Sequence, residues 1–561
     1  MSVIKEKRFI SSHLKNLATF SSGGLLFFFA APLQADPHHD GVILAPAVAY
    51  SEGLPLHAGA FSQYGPLSPL ISGLWLRVTD NNLLSLRYFA ALQAIILAIG
   101  LFLVLKKVVS ENHARAFVIL WIFASGIWST RFPGALMAWP SLLSSCILIY
   151  ALYFSLAAIK QKAKHAEVQL AFVGFLIAIS GFARAQSWII AGSVGLVLLL
   201  MGKPMIKKIF ALCLGYVLGF FVILGVVYSD GAISDWWLQS IYWPTQIYPA
   251  LGEGNNYNRF QMVLYIVESI LLISIVFVAS WISTKYSKVA SVVFLVFTVI
   301  FSLFLGNWIP TLESVPIRFR VLFGEPFERI LVSPLYLATI VTVILILFEL
   351  RKKRLNRDNQ IMLISSFGAL SIIQLYPQSD VMHLWWIAPL IIPSLATWLV
   401  KLKTYKPSWE DAFYRTTTIF SICGFVFAVG FLSNNWKEYD NQAFAGTFAS
   451  PEKVESLKIY NRIANYTVEK NSSFDCPDGV YSVINRSYNA ADQWYVNWGF
   501  TESIVQNPGR VRFICGENLL YAESEAKKLG WHLVEFRMSP LNPEVTLAVL
   551  KPYSEKLETN E

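Results

Sequence analysis

Long apolar runs, broken by short polar segments, recur along the first 433 residues of the chain. Thirteen of them are long enough, or nearly so, for a bilayer crossing of about 20 helical residues. They lie at 17–34, 84–105, 116–132, 140–159, 168–184, 188–202, 209–228, 261–284, 289–309, 331–350, 361–377, 384–400 and 417–433. Beyond residue 433 the pattern changes. Residues 452–469 repeat with a helical period, 480–485 and 511–515 read as strands, and 518–529 as a second helix. Two further strands follow near 531–537 and 545–551. The predicted fold is a polytopic α-helical membrane body, residues 1–433, followed by a small α/β domain, residues 434–561. Within the body, the longest connection between spans is the first outer loop, residues 35–83.

Composition agrees with this division. Hydrophobic residues make up 55% of the 561 positions and charged residues 14%, with a mean hydropathy of +0.50. A disordered chain, a coiled coil and an ordinary soluble enzyme are excluded. The net charge of +9 is uneven: residues 1–433 hold 32 Lys and Arg against 19 Asp and Glu, and residues 434–561 hold 13 against 17. In the body, 24 of the cationic residues fall on one set of loops. They include Lys5, Lys7 and Arg8, Lys160, Lys162 and Lys164, and the run Arg351-Lys352-Lys353-Arg354. That asymmetry marks the cytoplasmic side and puts the N-terminus inside and residues 434–561 outside. The basic balance therefore reflects topology, and no nucleic-acid partner is expected. A cut after Ala35 would make the first span a signal peptide, but Leu33 is a poor residue at its −3 position. No inside loop exceeds about twenty residues, and none carries a glycine-rich phosphate loop. Chemistry is expected on the outer face.

The first outer loop opens with Ala35-Asp36-Pro37-His38-His39-Asp40-Gly41 and reaches Gln63-Tyr64-Gly65-Pro66. Two carboxylates and two imidazoles where a span ends are costly unless solvated or used. Asp40 suits a general base toward a hydroxyl, with His39 as its neighbour. Equally, Asp36 and Asp40 suit the N-terminus of a helix over 41–52, where carboxylates meet unpaired N–H groups. A His/His/Asp metal site is conceivable from the residue types, but no metal or other cofactor is required.

All eight outer cations of the body are arginines: Arg77, Arg87, Arg131, Arg184, Arg259, Arg318, Arg320 and Arg329. Arginine binds phosphate bidentately and keeps its charge when partly buried, which suits an anionic lipid; it also snorkels to headgroups and pairs with local acids. Loop 229–260 carries Trp236, Trp237, Tyr242, Trp243, Tyr248 and Tyr257, interfacial anchors that would also stack on a sugar ring. Near the late spans, Asp380 and His383 stand at an i, i+3 spacing that lets them share a helical face. In the tail, Cys476 and Cys515 lie on the oxidising side and suit a disulfide. Asp492, Gln493, Trp494, Tyr495 and Trp498 are candidate carbohydrate contacts or simply domain core.

A first span, a long acidic outer loop, many further spans and an outer C-terminal domain together resemble the GT-C superfamily of integral-membrane glycosyltransferases. The stretch Asp36 to Gly41 with Gln63-Tyr64-Gly65-Pro66, and the segment Pro377 to His383, resemble the bacterial proteins similar to protein O-mannosyltransferases and the aminoarabinose transferase of lipid A. The Asp-Glu pair of the mannosyltransferases is here His39-Asp40. The resemblance implies a catalytic base at Asp40, with Asp36 as the second acidic candidate. Gln63, Tyr64, Asp380 and His383 fall in those stretches and are substrate-binding candidates; Arg184, Arg318, Arg320 and Arg329, from the outer arginines, are candidates for the phosphate by residue type. The implied reaction moves a sugar from a polyprenyl-phosphate-linked donor to a hydroxyl of a lipid, glycan or protein acceptor. It would occur at the outer face of a bacterial cytoplasmic membrane, whose lipids are the chain's other partners. Two readings from other classes compete. A scaffold for envelope assembly predicts that alanine at Asp40 is silent, and a transporter predicts ionisable residues near mid-membrane on broken, repeated helices.

Overall fold

The computed structural model describes residues 19–123, 136–160, 163–201, 205–245, 325–352, 358–375, 381–405, 407–433, 435–440, 442–465, 472–475, 511–543 and 545–552. Four of the described helices are long and apolar enough to cross a membrane: Leu83–Leu105, Pro140–Ile159, Ile206–Ser229 and Met382–Lys401. Shorter apolar helical segments occupy Thr19–Ala30, Leu67–Val78, His165–Gly181, Ala185–Met201 and Asn359–Leu375. The expected spans 261–284 and 289–309 lie outside the described residues. On the helix Ile206–Ser229, Phe210, Leu214, Val217, Leu218 and Phe221 recur at helical spacing and are all exposed. Such a stripe is at home against lipid tails and costly in water.

The chain divides into two compact units. One comprises residues 1–30, 90–224 and 248–434; the other comprises 31–89, 225–247 and 435–561.

In the first unit the helices pack through small residues and aromatic stacks. A Cβ on Gly215 would overlap the carbonyl of Ala171, and one on Gly174 that of Leu212, so these glycines let the helices Ala163–Gly181 and Ile206–Ser229 approach backbone to backbone. Trp121 and Trp385 stack with ring centroids 5.0 Å apart. Each indole N–H donates to the other's backbone carbonyl, at 3.0 and 3.1 Å. Phe27 lies edge-on to both rings. The carboxylate of Glu349 is buried and accepts from Lys352 and Lys401, tying the helix Glu325–Arg351 to Val381–Tyr405. One expected span has a different form. The run 188–202 comprises a 3-10 turn, Ala185–Ile190, and an 11-residue helix, Ala191–Met201. The extended backbone of Arg184 (φ −144°, ψ 111°) starts that tight turn.

The second unit begins directly after α1 (Thr19–Ala30). Its α2 spans Pro37–Ser51 and starts four residues before the expected position. Pro37 explains the early start, since its fixed φ and missing N–H suit the first helical turn. The first outer loop also holds a helix that the sequence pattern did not reveal, α3 (Leu67–Val78), which buries Pro69, Ser72, Gly73 and Leu76. At Gly73 a Cβ would stand 2.8 Å from the Ala47 carbonyl and from the Tyr50 ring, so α2 and α3 cross there. Arg77 closes the contact by donating to the carbonyls of Tyr50 and Ser51 at the end of α2.

The tail contributes a two-stranded ribbon, β1 (Lys437–Glu438) with β2 (Phe448–Ala449), and a four-stranded sheet. The sheet comprises β3 (Ser472–Asp475), β4 (Val511–Cys515), β5 (Trp531–Met538) and β6 (Thr546–Pro552) in the order β3-β4-β6-β5. The β3–β4 pair is parallel and the other two are antiparallel. A helix, Leu519–Leu529, is capped by Asn518 and ends at Gly530 in the left-handed region. Its Ala522 and Ala526 pack on Ile514, Trp531, Ala548 and Leu550. The expected helix 452–469 takes a different form, about two turns of α-helix at Pro451–Leu457 followed by a 3-10 stretch, Lys458–Asn465. Strand β3 was not expected. The expected strand 480–485 and the cluster Asp492, Gln493, Trp494, Tyr495 and Trp498 lie outside the described residues. Cys515 is disulfide-bonded, and Cys476 also lies outside the described residues.

Candidate functional site

The acidic sequence that opens the outer loop folds as the N-terminal turn of α2. Asp36 is the cap residue: its Oδ1 accepts the backbone N–H of His39 at 3.2 Å. Asp40, one turn along, reaches back, and its Oδ2 accepts the backbone N–H of Asp36 at 2.8 Å. This reciprocal arrangement satisfies two donors that a helix start leaves open.

The two carboxylates differ in environment. Asp40 is 2% exposed and faces Arg87, itself 1% exposed. The Arg87 Nη2 donates to Asp40 Oδ2 at 2.6 Å, and its Nε lies 3.1 and 3.2 Å from the two oxygens. The rest of that guanidinium is used on the chain just before α2. Nη1 donates to the carbonyls of Ala31 and Leu33, and Nη2 to that of Gln34. Arg87 stands on α4 (Leu83–Leu105), so a charge in an otherwise apolar helix is neutralised by Asp40. Asp36 is the more open carboxylate, 15% exposed, and its Oδ2 accepts from Lys453 Nζ at 3.0 Å. The His39 Nδ1 lies 3.5 Å from its Oδ1. Burial pushes the Asp36 carboxyl up, but the Lys453 ammonium and neighbouring His39 outweigh burial and hold it well below the usual carboxylate range.

Lys453 comes from the tail, and the tail is fastened to the segment before Asp36. Leu33 forms a parallel bridge with Phe448. The Ala35 N–H donates to the Phe448 carbonyl at 3.0 Å, and the Phe448 N–H to the Pro32 carbonyl at 2.7 Å. The buried Tyr439 hydroxyl donates to the carbonyl of Ala35.

Gln63 and Tyr64 belong to a second part of the same unit. Gln239 holds this loop: its Oε1 accepts from the Ser62 N–H at 3.0 Å and lies 3.2 Å from His57 Nδ1, while its Nε2 donates to the His57 carbonyl. Ser240 donates to the carbonyl of Tyr64 at 2.6 Å. His57 sits at φ +58°, unusual for a residue with a side chain. Burial pushes its imidazole down to about 4, against the opposing hydrogen bonds to Gln239 and Ser62, so it is neutral at physiological pH. Gln63 is buried. Gln239→Leu is expected to orphan the His57 carbonyl and the Ser62 N–H, at about 1–3 kcal/mol for each buried group. The measurable result is faster proteolysis within residues 52–65; Gln239→Glu keeps the acceptor for Ser62 but has no amide to donate to the His57 carbonyl, and is expected to fail in the same way.

Arg184 and His383 belong to the other unit. The Arg184 Nη1 donates to Ser141 Oγ at 2.5 Å and its Nη2 to the Gln374 carbonyl at 2.6 Å. Beside them the hydroxyls of Ser144 and Ser187 lie 2.6 Å apart. Three segments thus meet there: the start of the helix Pro140–Lys160, the turn 184–187 and the 3-10 turn Ile372–Leu375. His383 is buried edge-on against Trp386 and Trp139. Asp380, Arg318 and Arg320 lie outside the described residues. Arg329 falls within the helix Glu325–Arg351, and its side chain is likewise outside the description. Arg77, Arg87 and Arg184, the described outer arginines, all make hydrogen bonds to protein acceptors.

The structure therefore brings Asp36, His39 and Asp40 together and adds Arg87 and Lys453 to them. Arg87 had a signal in the sequence: a cation at the fourth residue of the apolar run 84–105 needs a partner. Lys453 had none, because it lies 417 positions from Asp36. Among the described residues, no three His, Cys, Asp or Glu side chains converge as a metal site would require.

No protein-family model matches the chain, and no curated protein matches it. Among solved structures, it is similar to the Archaeoglobus fulgidus oligosaccharyltransferase tethered with an acceptor peptide. That match has a TM-score of 0.48 and 11% identity, over 94% of this chain and 73% of the other. A second is the archaeal oligosaccharyltransferase AglB from Archaeoglobus fulgidus in complex with an inhibitory peptide and a dolichol-phosphate. It matches with a TM-score of 0.44 and 10% identity, over 91% of this chain and 70% of the other.

Proposed function

We propose that the chain is an integral-membrane glycosyltransferase working at the outer face of a bacterial cytoplasmic membrane. The donor is a polyprenyl-phosphate-linked sugar, and the acceptor is a hydroxyl of a lipid, glycan or protein. The observation that carries the reading is the fixed acidic cluster at the start of α2, with Asp36 the more exposed carboxylate, ionised beside Lys453, and Asp40 buried against Arg87. Topology supplies the donor class. With residues 35–83 and the tail outside, where activated nucleotides are absent, the leaving group arrives with the bilayer.

The two carboxylates divide the work. Asp36 accepts the hydrogen bond of the acceptor hydroxyl and takes its proton as attack proceeds. Asp40, 2% exposed and paired with Arg87, keeps the helix start and the 31–36 segment in place. The acceptor oxygen forms its bond to the anomeric carbon on the face opposite the phosphate. The bond from that carbon to the phosphate oxygen breaks, its electron pair leaves with the polyprenyl phosphate, and configuration inverts. Arg184, Arg318, Arg320 and Arg329 are the candidates to stabilise the departing phosphate, through electrostatic complementarity to charge that develops in the transition state. Gln63, Tyr64, Asp380 and His383 are candidates to orient the substrates. No step calls for a metal.

The test uses protein in lipid nanodiscs, given a panel of polyprenyl-phosphate sugars and an envelope extract as acceptor source. Mass spectrometry follows the release of polyprenyl phosphate. Release from at least one donor is expected. An intact donor pool across the panel would contradict the reading and favour an assembly scaffold.

A further inference from the structure

We propose that Lys453, carried by the tail helix Pro451–Leu457, is a positioning residue for Asp36, so that the tail is a working part of the transfer site. The inference rests on the proposed function and gives the tail a role in it.

Three observations carry it. First, each carboxylate at the start of α2 faces a cation. Arg87 takes Asp40, with side chains 1% and 2% exposed, and Lys453 takes Asp36 at 3.0 Å. Second, the lysine is anchored close to its own backbone, because Ser450 caps its helix by accepting the Lys453 N–H. Third, the tail has no independent freedom at this point. Phe448, five residues before Lys453, is bonded on both sides to the segment 32–35, and Tyr439 bonds Ala35. A lysine that merely decorated a surface would need none of this fixation. Here the ammonium is held against the oxygen of Asp36 opposite the one used in capping, so both oxygens are fixed.

The groups that face Asp36 come from three elements. His39 and Asp40 stand on α2, Arg87 is on α4 and bound to Asp40, and Lys453 and Tyr439 belong to the tail. Of these, Lys453 bonds the Asp36 side chain directly with a permanent positive charge. Removing it leaves Asp36 partly buried beside the carboxylate of Asp40, and both conditions favour the protonated form.

The experiment measures transfer against pH for wild type, Lys453→Met and Lys453→Arg in nanodiscs. Lys453→Met is expected to move the acid limb of the profile upward by about one pH unit, and Lys453→Arg to keep it near wild type. An unmoved limb in a folded Lys453→Met protein overturns the proposal and leaves the glycosyltransferase reading standing. A second readout needs no turnover. Asp36 has a depressed carboxyl in the folded state, so its contribution is present above the unfolded value and lost as pH falls through the folded one. The melting-temperature gap between wild type and Lys453→Met should therefore be widest near neutrality and close in acid, below about pH 4. A gap that stays constant with pH overturns the pairing. Absence of turnover in wild type, with a gap that closes, removes the proposed reaction but retains the clamp.

Discussion

Asp40→Asn is expected to destabilise the protein by about 3–5 kcal/mol, the typical cost of removing one member of a buried ion pair and leaving the other charge behind. Arg87 cannot escape to solvent, because its guanidinium is 1% exposed and tied to the carbonyls of Ala31, Leu33 and Gln34. The asparagine amide can still accept one hydrogen bond from it, but carries no compensating charge. Arg87→Met should be similarly damaging for a different reason, since it strands those three carbonyls as well as Asp40. A double replacement by apolar residues, which is often neutral for an isolated buried pair, is therefore not expected to recover the loss. A lowered melting temperature in detergent, with new proteolytic cleavage in residues 31–40, is the result that checks this. An Asp40→Asn protein as stable as wild type would mean that the pair is not formed as described.

Asp36→Asn is expected to do the opposite: little to stability and much to activity. Asparagine caps a helix as well as aspartate does. The ion pair lost with Lys453 is partly exposed, the lysine 34% and the aspartate 15%, so its contribution is about 1 kcal/mol or less. Loss of a positioned proton acceptor, by contrast, typically costs about 10²–10⁴-fold in rate. The contrast separates the two carboxylates. Inactivity at position 36 without unfolding marks chemistry, whereas inactivity at position 40 accompanied by unfolding marks architecture. Full activity in Asp36→Asn would remove Asp36 as the base.

The long helices were legible because an apolar run of fixed length has few alternatives. The expected spans 84–105, 140–159 and 209–228 correspond to Leu83–Leu105, Pro140–Lys160 and Ile206–Ser229. In the tail, the patterns read at 511–515 and 518–529 correspond to β4 and to the helix Leu519–Leu529 within a residue. The helix α3 was not legible, because its buried face includes Ser72 and Gly73, residues that carry little hydrophobic signal but allow the close crossing with α2. The run 188–202 read as one span because hydropathy is blind to the extended residue and 3-10 turn that precede the helix. At the site, residue types alone picked out Asp36, His39 and Asp40, and of the two readings offered for the carboxylates the helix cap describes the local geometry. What decides between the two carboxylates is long-range: Arg87 is 47 positions from Asp40 and Lys453 is 417 from Asp36. Neither pairing leaves a periodic trace in a single sequence.

The most direct measurement sets wild type beside Asp36→Asn in nanodiscs, with one accepted polyprenyl-phosphate sugar and its acceptor, and counts polyprenyl phosphate released per protein. Melting temperature is recorded on the same samples. The predicted result is release by wild type and a loss of about a hundredfold or more in a variant that melts within a few degrees of it. Equal release by both proteins would contradict the assignment of chemistry to the acidic start of α2.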